Sequence, residues 1–232
     1  MAEYAQFCPV AKAMELLDER WTLLVVRELL MGSRHFNDVR RGVPRMSPAL
    51  LSKRLRTLTQ AGVVERRVHG GRVSYVLTEA GAELRPVVEA LGHWGTRWVP
   101  ELGDEDLDPH LLLWDMHRNL DLDAMPDGRT VLHFRFPDVA RPAGWWWLVV
   151  DPSGVDVCDV DPGHDPTLTI SAPLRTLVDL WRGDTDWAGA RRRGLQIDGP
   201  AWARRALPRW LRLSAFAAVP RPAAHRRANE SA

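Results

Sequence analysis

The sequence lacks the features that several large classes of protein require. Its 232 residues include only two cysteines, Cys8 and Cys158, which fall in different predicted domains. This excludes a disulfide scaffold and fits a reducing compartment. No apolar run approaches the ~20 residues that span a bilayer, and the N-terminus lacks the basic and apolar regions of a signal peptide. We therefore expect a cytoplasmic protein with no membrane partner.

Enzyme signatures are also missing. The sequence has no glycine-rich phosphate loop, no serine nucleophile elbow, no HExxH motif and no zinc-like spacing of cysteine and histidine. An acidic loop at residues 156–165 has side chains that could hold a cation, but its prolines and glycine favour a solvated turn. We predict no catalytic residue, no cofactor and no metal site.

The net charge of +1 hides an asymmetry along the chain. Residues 1–100 contain 15 basic and 10 acidic side chains, whereas residues 101–232 contain 16 and 20. The excess of positive charge is concentrated between Arg34 and Arg72, where ten lysines and arginines stand against two acids. Only the first half of the chain, residues 1–100, has an electrostatic reason to meet nucleic acid, and phosphate is the expected partner of its basic segment.

A helix beginning after Ser47 is the predicted reading element. Ser47 is a favourable N-cap and Pro48 a favourable first helical residue. Leucines at positions 51, 55 and 58 form one apolar stripe, and Gly62 follows as a C-terminal signal. The other faces carry hydrogen-bond donors. The predicted DNA-binding residues here are Ser47, Pro48, Ala49, Ser52, Lys53, Arg54 and Arg56, with Arg34 ahead of the preceding helix.

A hairpin follows this helix directly. Two β-prone runs at residues 63–68 and 72–77 flank His69-Gly70-Gly71, which is typical of a tight hairpin turn. We interpret the hairpin as a wing whose tip, His69, Gly70, Gly71 and Arg72, lies over the DNA backbone or minor groove. A basic amphipathic helix alone is usually a solvated face. The succession of helix, turn, helix and hairpin favours DNA binding instead.

Five segments carry a resemblance to a known family. They are CPVA at 8–11, RWTLLVVRELL at 20–30, RHFNDVR at 34–40, SPALLSKRL at 47–55 and SYVLTEAG at 74–81. Residues 7–98 resemble the HxlR family of bacterial winged-helix transcription regulators. The resemblance implies a homodimer on a palindromic operator. Family wings often carry prolines where this chain has Gly70 and Gly71.

Cys8 has two readings. The resemblance places it where some relatives carry an oxidant-sensing cysteine, and a helix start can stabilise a thiolate. The alternative is a partly buried small hydrophobic residue.

A long helix is predicted over residues 78–98. Thr78 is the expected N-cap, and Pro86 should kink or restart the helix. The apolar seam consists of Leu84, Val87, Val88, Leu91, Trp94 and Trp98. This seam is either core against the winged domain or, with the first helix at 10–17, a dimer contact; a palindromic operator needs two reading heads, which favours the dimer.

The C-terminal half is predicted as a second domain. An acidic linker and a connecting helix occupy residues 101–124. Alternating runs then predict strands, including a hairpin with Asp151-Pro152-Ser153-Gly154 as its turn, and helical segments follow. Strands followed by helices indicate an α+β layer. The Pro-, Ala- and Arg-rich residues 218–232 are predicted to be disordered.

This half resembles a sterol-carrier-protein type domain over about residues 125–215. The resemblance rests on the hairpin, a helix ending at Gly183, the WAGA segment at 187–190 and GLQIDG at 194–199. It implies an apolar tunnel between sheet and helices, although the tryptophans here are also compatible with an ordinary core. Alternation sends Trp145 and Trp147 to one face of the sheet and Trp146 to the other. The residues predicted to line a ligand site are Phe134, Trp145, Trp147, Leu174, Val178 and Trp181.

The sequence therefore predicts an α+β protein of two domains. Residues 1–100 form a winged helix-turn-helix domain, 101–124 a linker and helix, 125–217 a sterol-carrier-like domain and 218–232 a tail. The expected function is that of a homodimeric transcription regulator, a repressor on double-stranded DNA, that responds to an apolar small molecule. Two alternatives stay open: a C-terminal domain that is a ligand-free assembly or interaction module, and a redox sensor acting through Cys8.

Overall fold

A computed structural model describes residues 4–99 and 102–222. The chain divides into two compact units, residues 1–92 and 93–232. This division falls within a helix, ahead of the domain boundary predicted at residue 100. None of the helices in the described stretches has the length and apolar character needed to cross a membrane.

The first unit is a bundle of short helices with a two-stranded wing. Its elements are α1 (Pro9–Leu17), α2 (Thr22–Leu30), α3 (Phe36–Gly42), α4 (Pro48–Gln60), β1 (Val64–His69), β2 (Arg72–Leu77), α5 (Glu79–Ala82) and the start of α6 (Arg85–Trp98). The leucine stripe of α4 packs into one core with Val25, Val26 and Val39. The winged helix-turn-helix prediction is confirmed for this unit.

The predicted long helix is two helices. The Thr78 hydroxyl caps the single turn of α5 by accepting a hydrogen bond from the Gly81 N–H at 3.2 Å. Helix α6 then begins at Arg85, with Pro86 in its first turn. Proline has no N–H to donate, so it is well tolerated at the start of a helix, where that N–H would have no partner, and is disfavoured in the interior. Pro86 therefore marks a restart.

The second unit is a mixed five-stranded β-sheet with helices packed on one face. Its elements are α7 (Pro109–Arg118), β3 (Thr130–Arg135), β4 (Trp145–Asp151), β5 (Gly154–Cys158), β6 (Leu168–Ser171), α8 (Leu174–Arg182), α9 (Trp187–Arg192), β7 (Gln196–Asp198) and α10 (Ala201–Trp210). The strand order is β5-β4-β3-β6-β7. Only β3 and β6 pair in parallel. The mixed α+β prediction is confirmed.

Helix α7 is part of the second unit. Leu112, Leu113 and Met116 are buried in its main core together with residues of the sheet and of α8 and α10. The sequence predicts this helix as a connection outside the domain at 125–217. Its apolar face instead covers strands β4 and β5, because an amphipathic helix is stable when its apolar side is buried.

The start of the predicted disordered tail is ordered. Val219 is buried, and the Arg221 guanidinium forms an ion pair with Asp184 at 2.7 Å. The same guanidinium donates to the Arg182 carbonyl at 2.7 Å. The prediction of disorder is therefore wrong for residues 218–222. Residues 223–232, where the rest of that prediction falls, lie outside the described residues.

Candidate functional site

Helix α4 exposes one polar face. Its N-terminus is capped by Ser47, whose hydroxyl accepts from the Leu50 N–H at 3.3 Å, and Pro48 occupies the first turn. Leu51, Leu55 and Leu58 are buried. Of the predicted DNA-binding residues in this segment, those that are exposed are Ser47, Pro48, Ala49, Ser52, Lys53 and Arg56. Because positions three and four apart share a helix face, Ala49, Ser52, Lys53 and Arg56 form one continuous strip.

Arg54 does not belong to this face, which corrects the sequence prediction. Only 8% of Arg54 is exposed. Its guanidinium forms an ion pair with Glu19, and its Nε donates to the Arg20 carbonyl at 3.2 Å. Arg54 follows Leu51 by three residues and precedes Leu58 by four, so it lies on the apolar stripe. It therefore fastens α4 to the junction between α1 and α2.

The wing has the geometry that its sequence predicts. Strands β1 and β2 pair antiparallel, and His69 lies opposite Arg72 across the turn. Gly70 and Gly71 have φ values of +55° and +78°, a conformation that side chains other than glycine rarely adopt. His69, Gly70, Gly71 and Arg72 are all exposed. The tip therefore projects donors and a cation without taking part in the core.

Hydrogen bonds fix the wing to the segment that precedes α3. The Tyr75 N–H donates to the Arg34 carbonyl at 2.7 Å. The His35 Nδ1 lies 2.9 Å from the Val73 carbonyl oxygen. The Arg34 side chain is exposed beside these bonds. Sequence reasoning missed the role of His35, since a bond between residues 38 positions apart has no local pattern.

A buried carboxylate joins α2 to α3. Glu28 is buried and accepts from Arg27 at 2.8 Å and from the Ser33 hydroxyl at 3.3 Å. Arg27 also donates to the Gly42 carbonyl at 2.9 Å. A Cβ at Gly42 would overlap the Glu28 carboxylate. The position of Glu28 within the apolar run at residues 20–30 could have indicated this cluster from the sequence, because a buried charge requires partners.

The exposed positive charge of this unit is concentrated at residues 34–72. The exposed cations between residues 34 and 72 are Arg34, Arg40, Arg41, Arg45, Lys53, Arg56, Arg66, Arg67 and Arg72. Arg67 is paired with Glu65 at 2.7 Å, and this pair lowers the pKa of the Glu65 carboxyl. The polar strip of α4, the wing tip and these cations are all exposed, and hydrogen-bond donors and positive charge of this kind suit a polyanion.

The six predicted ligand residues do not form one site. Phe134, Leu174 and Trp181 lie in the main core, and Val178 packs against it. Trp145 and Trp147 lie on the opposite face of the sheet. The register explains the separation, since Phe134 is opposite Trp146 and His133 is opposite Trp147. The predicted alternation of the three tryptophans is correct, but the grouping into a single lining is wrong.

Cys8 is half-buried and is the N-cap residue of α1, but its side chain accepts no capping hydrogen bond from the N–H groups of the helix. Within residues 4–99 and 102–222, no group of three or more His, Cys, Asp or Glu side chains is arranged to hold a metal ion.

Comparisons with known proteins match the first part of the chain. The HxlR-like helix-turn-helix family model matches residues 16–102. The HTH-type transcriptional regulator YvaP of Bacillus subtilis is 36% identical over 99 residues, which are 41% of this chain and 92% of YvaP. The HTH-type transcriptional regulator sll1512 of Synechocystis is 35% identical over 102 residues, covering 43% of this chain and 76% of the relative.

Among solved structures, the reduced form of the transcriptional regulator YodB from B. subtilis is 33% identical. That match covers 43% of this chain and 100% of YodB, with a TM-score of 0.36.

Proposed function

This chain belongs to the HxlR-like helix-turn-helix family of transcriptional regulators, and we propose that it is a cytoplasmic homodimeric repressor that binds a palindromic operator. One observation carries the proposal: the strip of Ala49, Ser52, Lys53 and Arg56 is exposed on a helix whose neighbouring wing is also exposed. Such a helix can read base edges in the major groove, and a wing adds backbone contacts.

Replacing Lys53 and Arg56 tests the reading helix. A duplex selected by the full-length protein from a randomised DNA library provides the operator, and fluorescence anisotropy measures its affinity at several salt concentrations. Lys53→Gln and Arg56→Gln are each expected to lower the salt slope by about one if they contact phosphate. A residue that reads a base should instead relax the sequence preference at one position.

Arg191→Gln is the matched control, since Arg191 is an exposed arginine on α9 in the second unit. Its affinity and salt slope should equal those of the unaltered protein. If the two α4 variants also behave like the control, α4 is not the reading helix.

A separate variant tests the wing. Arg72→Ala is expected to weaken operator binding severalfold and to leave the melting temperature unchanged, because Arg72 is exposed at the tip of the hairpin. Thermal unfolding followed by circular dichroism, together with the same anisotropy titration, distinguishes the two effects. Normal binding by Arg72→Ala would mean that the tip stays in solvent.

Two exposed apolar surfaces support the homodimer. On α6, Val87, Leu91, Trp94 and Trp98 are exposed and recur every three or four residues; we call them the α6 seam. Phe7, Val10 and Met14 are exposed at and before α1. A monomeric protein rarely exposes such stripes to water. A second copy of the chain would cover them and provide the second reading head for a palindrome.

The second unit is proposed to be an effector domain of sterol-carrier type. The order of elements supports this: the β4-β5 hairpin, the helices α8 and α9, the strand β7 and the final helix α10 follow one another as the resemblance implies. Because the predicted lining is split between two faces of the sheet, an apolar effector would have to use one face alone. Oxidant sensing through Cys8 stays a prediction.

A further inference from the structure

A cleft opens on the face of the second unit's sheet that the helices do not cover. Its volume is about 320 Å³, and its walls include His133, Arg135, Trp145, Trp147, Asp161 and Asp165. The first four side chains come from adjacent strands, β3 and β4, whereas the two acids lie on the loop after β5. A volume of this size is at the lower end for small-molecule sites.

The floor of the cleft contains a buried polar group without a partner. Only 3% of His133 is exposed, and its ring stacks on Trp147 with a centroid distance of 4.6 Å and an interplanar angle of 4°. Among the described residues, no group hydrogen-bonds to its Nε2. Buried polar atoms are normally paired, so an unpaired one in a cleft indicates a bound molecule or water.

His133 is neutral at physiological pH. Burial lowers its pKa to about 4, and the positive charge of Arg135 acts in the same direction. Asp161 opposes this shift. A neutral imidazole has one donor and one acceptor nitrogen, so it can bond to a hydroxyl or amine group in either direction.

Two guanidinium groups meet at Trp145 on the rim. The Arg141 guanidinium lies over the Trp145 ring at 3.6 Å from its centroid, and that of Arg135 lies at 5.0 Å. Within the described part of the chain, no carboxylate pairs with either arginine. A guanidinium stacked on a ring keeps its N–H edge available, and that edge matches a carboxylate in two parallel hydrogen bonds.

We propose that this cleft binds a small aromatic carboxylate with a hydroxyl or amino group on its ring. Arg135 would hold the carboxylate, Trp145 and Trp147 would contact the ring, and His133 would bond to the ring substituent. Asp161 and Asp165, which also line the cleft, disfavour a second anionic group and favour a hydrogen-bond donor on the ligand. The site stands independently of DNA binding, whereas a role for its ligand as the effector rests on the proposed function.

Titration calorimetry with the full-length protein tests the site. The probes are 4-hydroxybenzoate, its methyl ester and benzoate. Arg135→Gln is expected to weaken binding of 4-hydroxybenzoate by about tenfold, the usual scale for losing one charge-assisted pair, and to leave the ester unaffected. His133→Phe should remove the preference for 4-hydroxybenzoate over benzoate. Arg129→Gln is the control, because Arg129 flanks the other end of β3 and does not line the cleft.

Three results would overturn the proposal: no binding of the acid at millimolar concentration, equal binding of acid and ester, or equal affinities for Arg135→Gln and Arg129→Gln. Measuring DNA affinity by fluorescence anisotropy on the same samples distinguishes failure of the ligand-site proposal from failure of the DNA-binding proposal. If the protein binds DNA but none of the probes, only the proposal of a ligand site is refuted. The second unit is then better described as an interaction module. If the protein binds the acid but no DNA, the proposed regulatory function is refuted and the ligand site is supported.

Discussion

A Leu91→Glu protein is expected to be monomeric and to bind its operator at least about 100-fold more weakly than the unaltered protein, since linking two reading heads raises affinity by two to four orders of magnitude. Leu91 is at the centre of the α6 seam and is 50% exposed. A glutamate there would place an unpaired charge in the middle of the proposed dimer contact. Sedimentation velocity gives the oligomeric state, and anisotropy gives the affinity.

Leu122→Glu is the matched control for this experiment. Leu122 is also 50% exposed, but it lies on a separate short 3-10 helix, Leu122–Ala124, and is not part of α6. The same substitution there should leave both the dimer and the DNA affinity intact. If Leu91→Glu stays dimeric and binds DNA normally, the α6 seam is not the dimer contact. If both variants lose DNA binding, the effect is a general consequence of added negative charge.

The sequence was sufficient where the deciding residues are neighbours in the chain. The Ser47 cap, the Pro48 start and the Gly70-Gly71 turn each depend on local geometry, so a pattern of a few residues predicts them. The alternation of Trp145, Trp146 and Trp147 is local in the same sense. These features define α4 and the wing, which is why most of the candidate DNA-binding surface could be predicted.

The register in which the strands pair could not be predicted from the sequence. Whether Phe134 shares a face with Trp146 or with Trp147 depends on the register of β3 against β4, and a shift of one residue exchanges the faces. The grouping of the ligand residues assumed a register without evidence for it. The position of α7 in the core was missed for a similar reason, because the acidic residues before it suggested a linker and its partners lie on distant strands.

The burial of Arg54, in contrast, could have been predicted from its spacing in the sequence. Its spacing from Leu51 and Leu58 places it on the buried side of α4, but its charge led to its assignment to the DNA-binding face. Arginine can be buried when its N–H groups donate to an acid and a carbonyl. For Arg54 these acceptors are the Glu19 carboxylate and the Arg20 carbonyl. Substitution of Arg54 distinguishes a structural role from a DNA-binding role.

Arg54→Met is expected to lower the free energy of unfolding by about 2–3 kcal/mol, somewhat below the usual cost of breaking a fully buried pair because Glu19 is partly exposed. Methionine keeps much of the aliphatic stem, so the loss reports the charge and its hydrogen bonds. Lys53→Met, on the exposed face, should leave stability unchanged and weaken DNA binding. Urea unfolding of Arg54→Met, Glu19→Gln and the double variant then measures their coupling. A purely DNA-reading Arg54 would give the reverse pattern, with unchanged stability, no coupling to Glu19 and weakened operator binding.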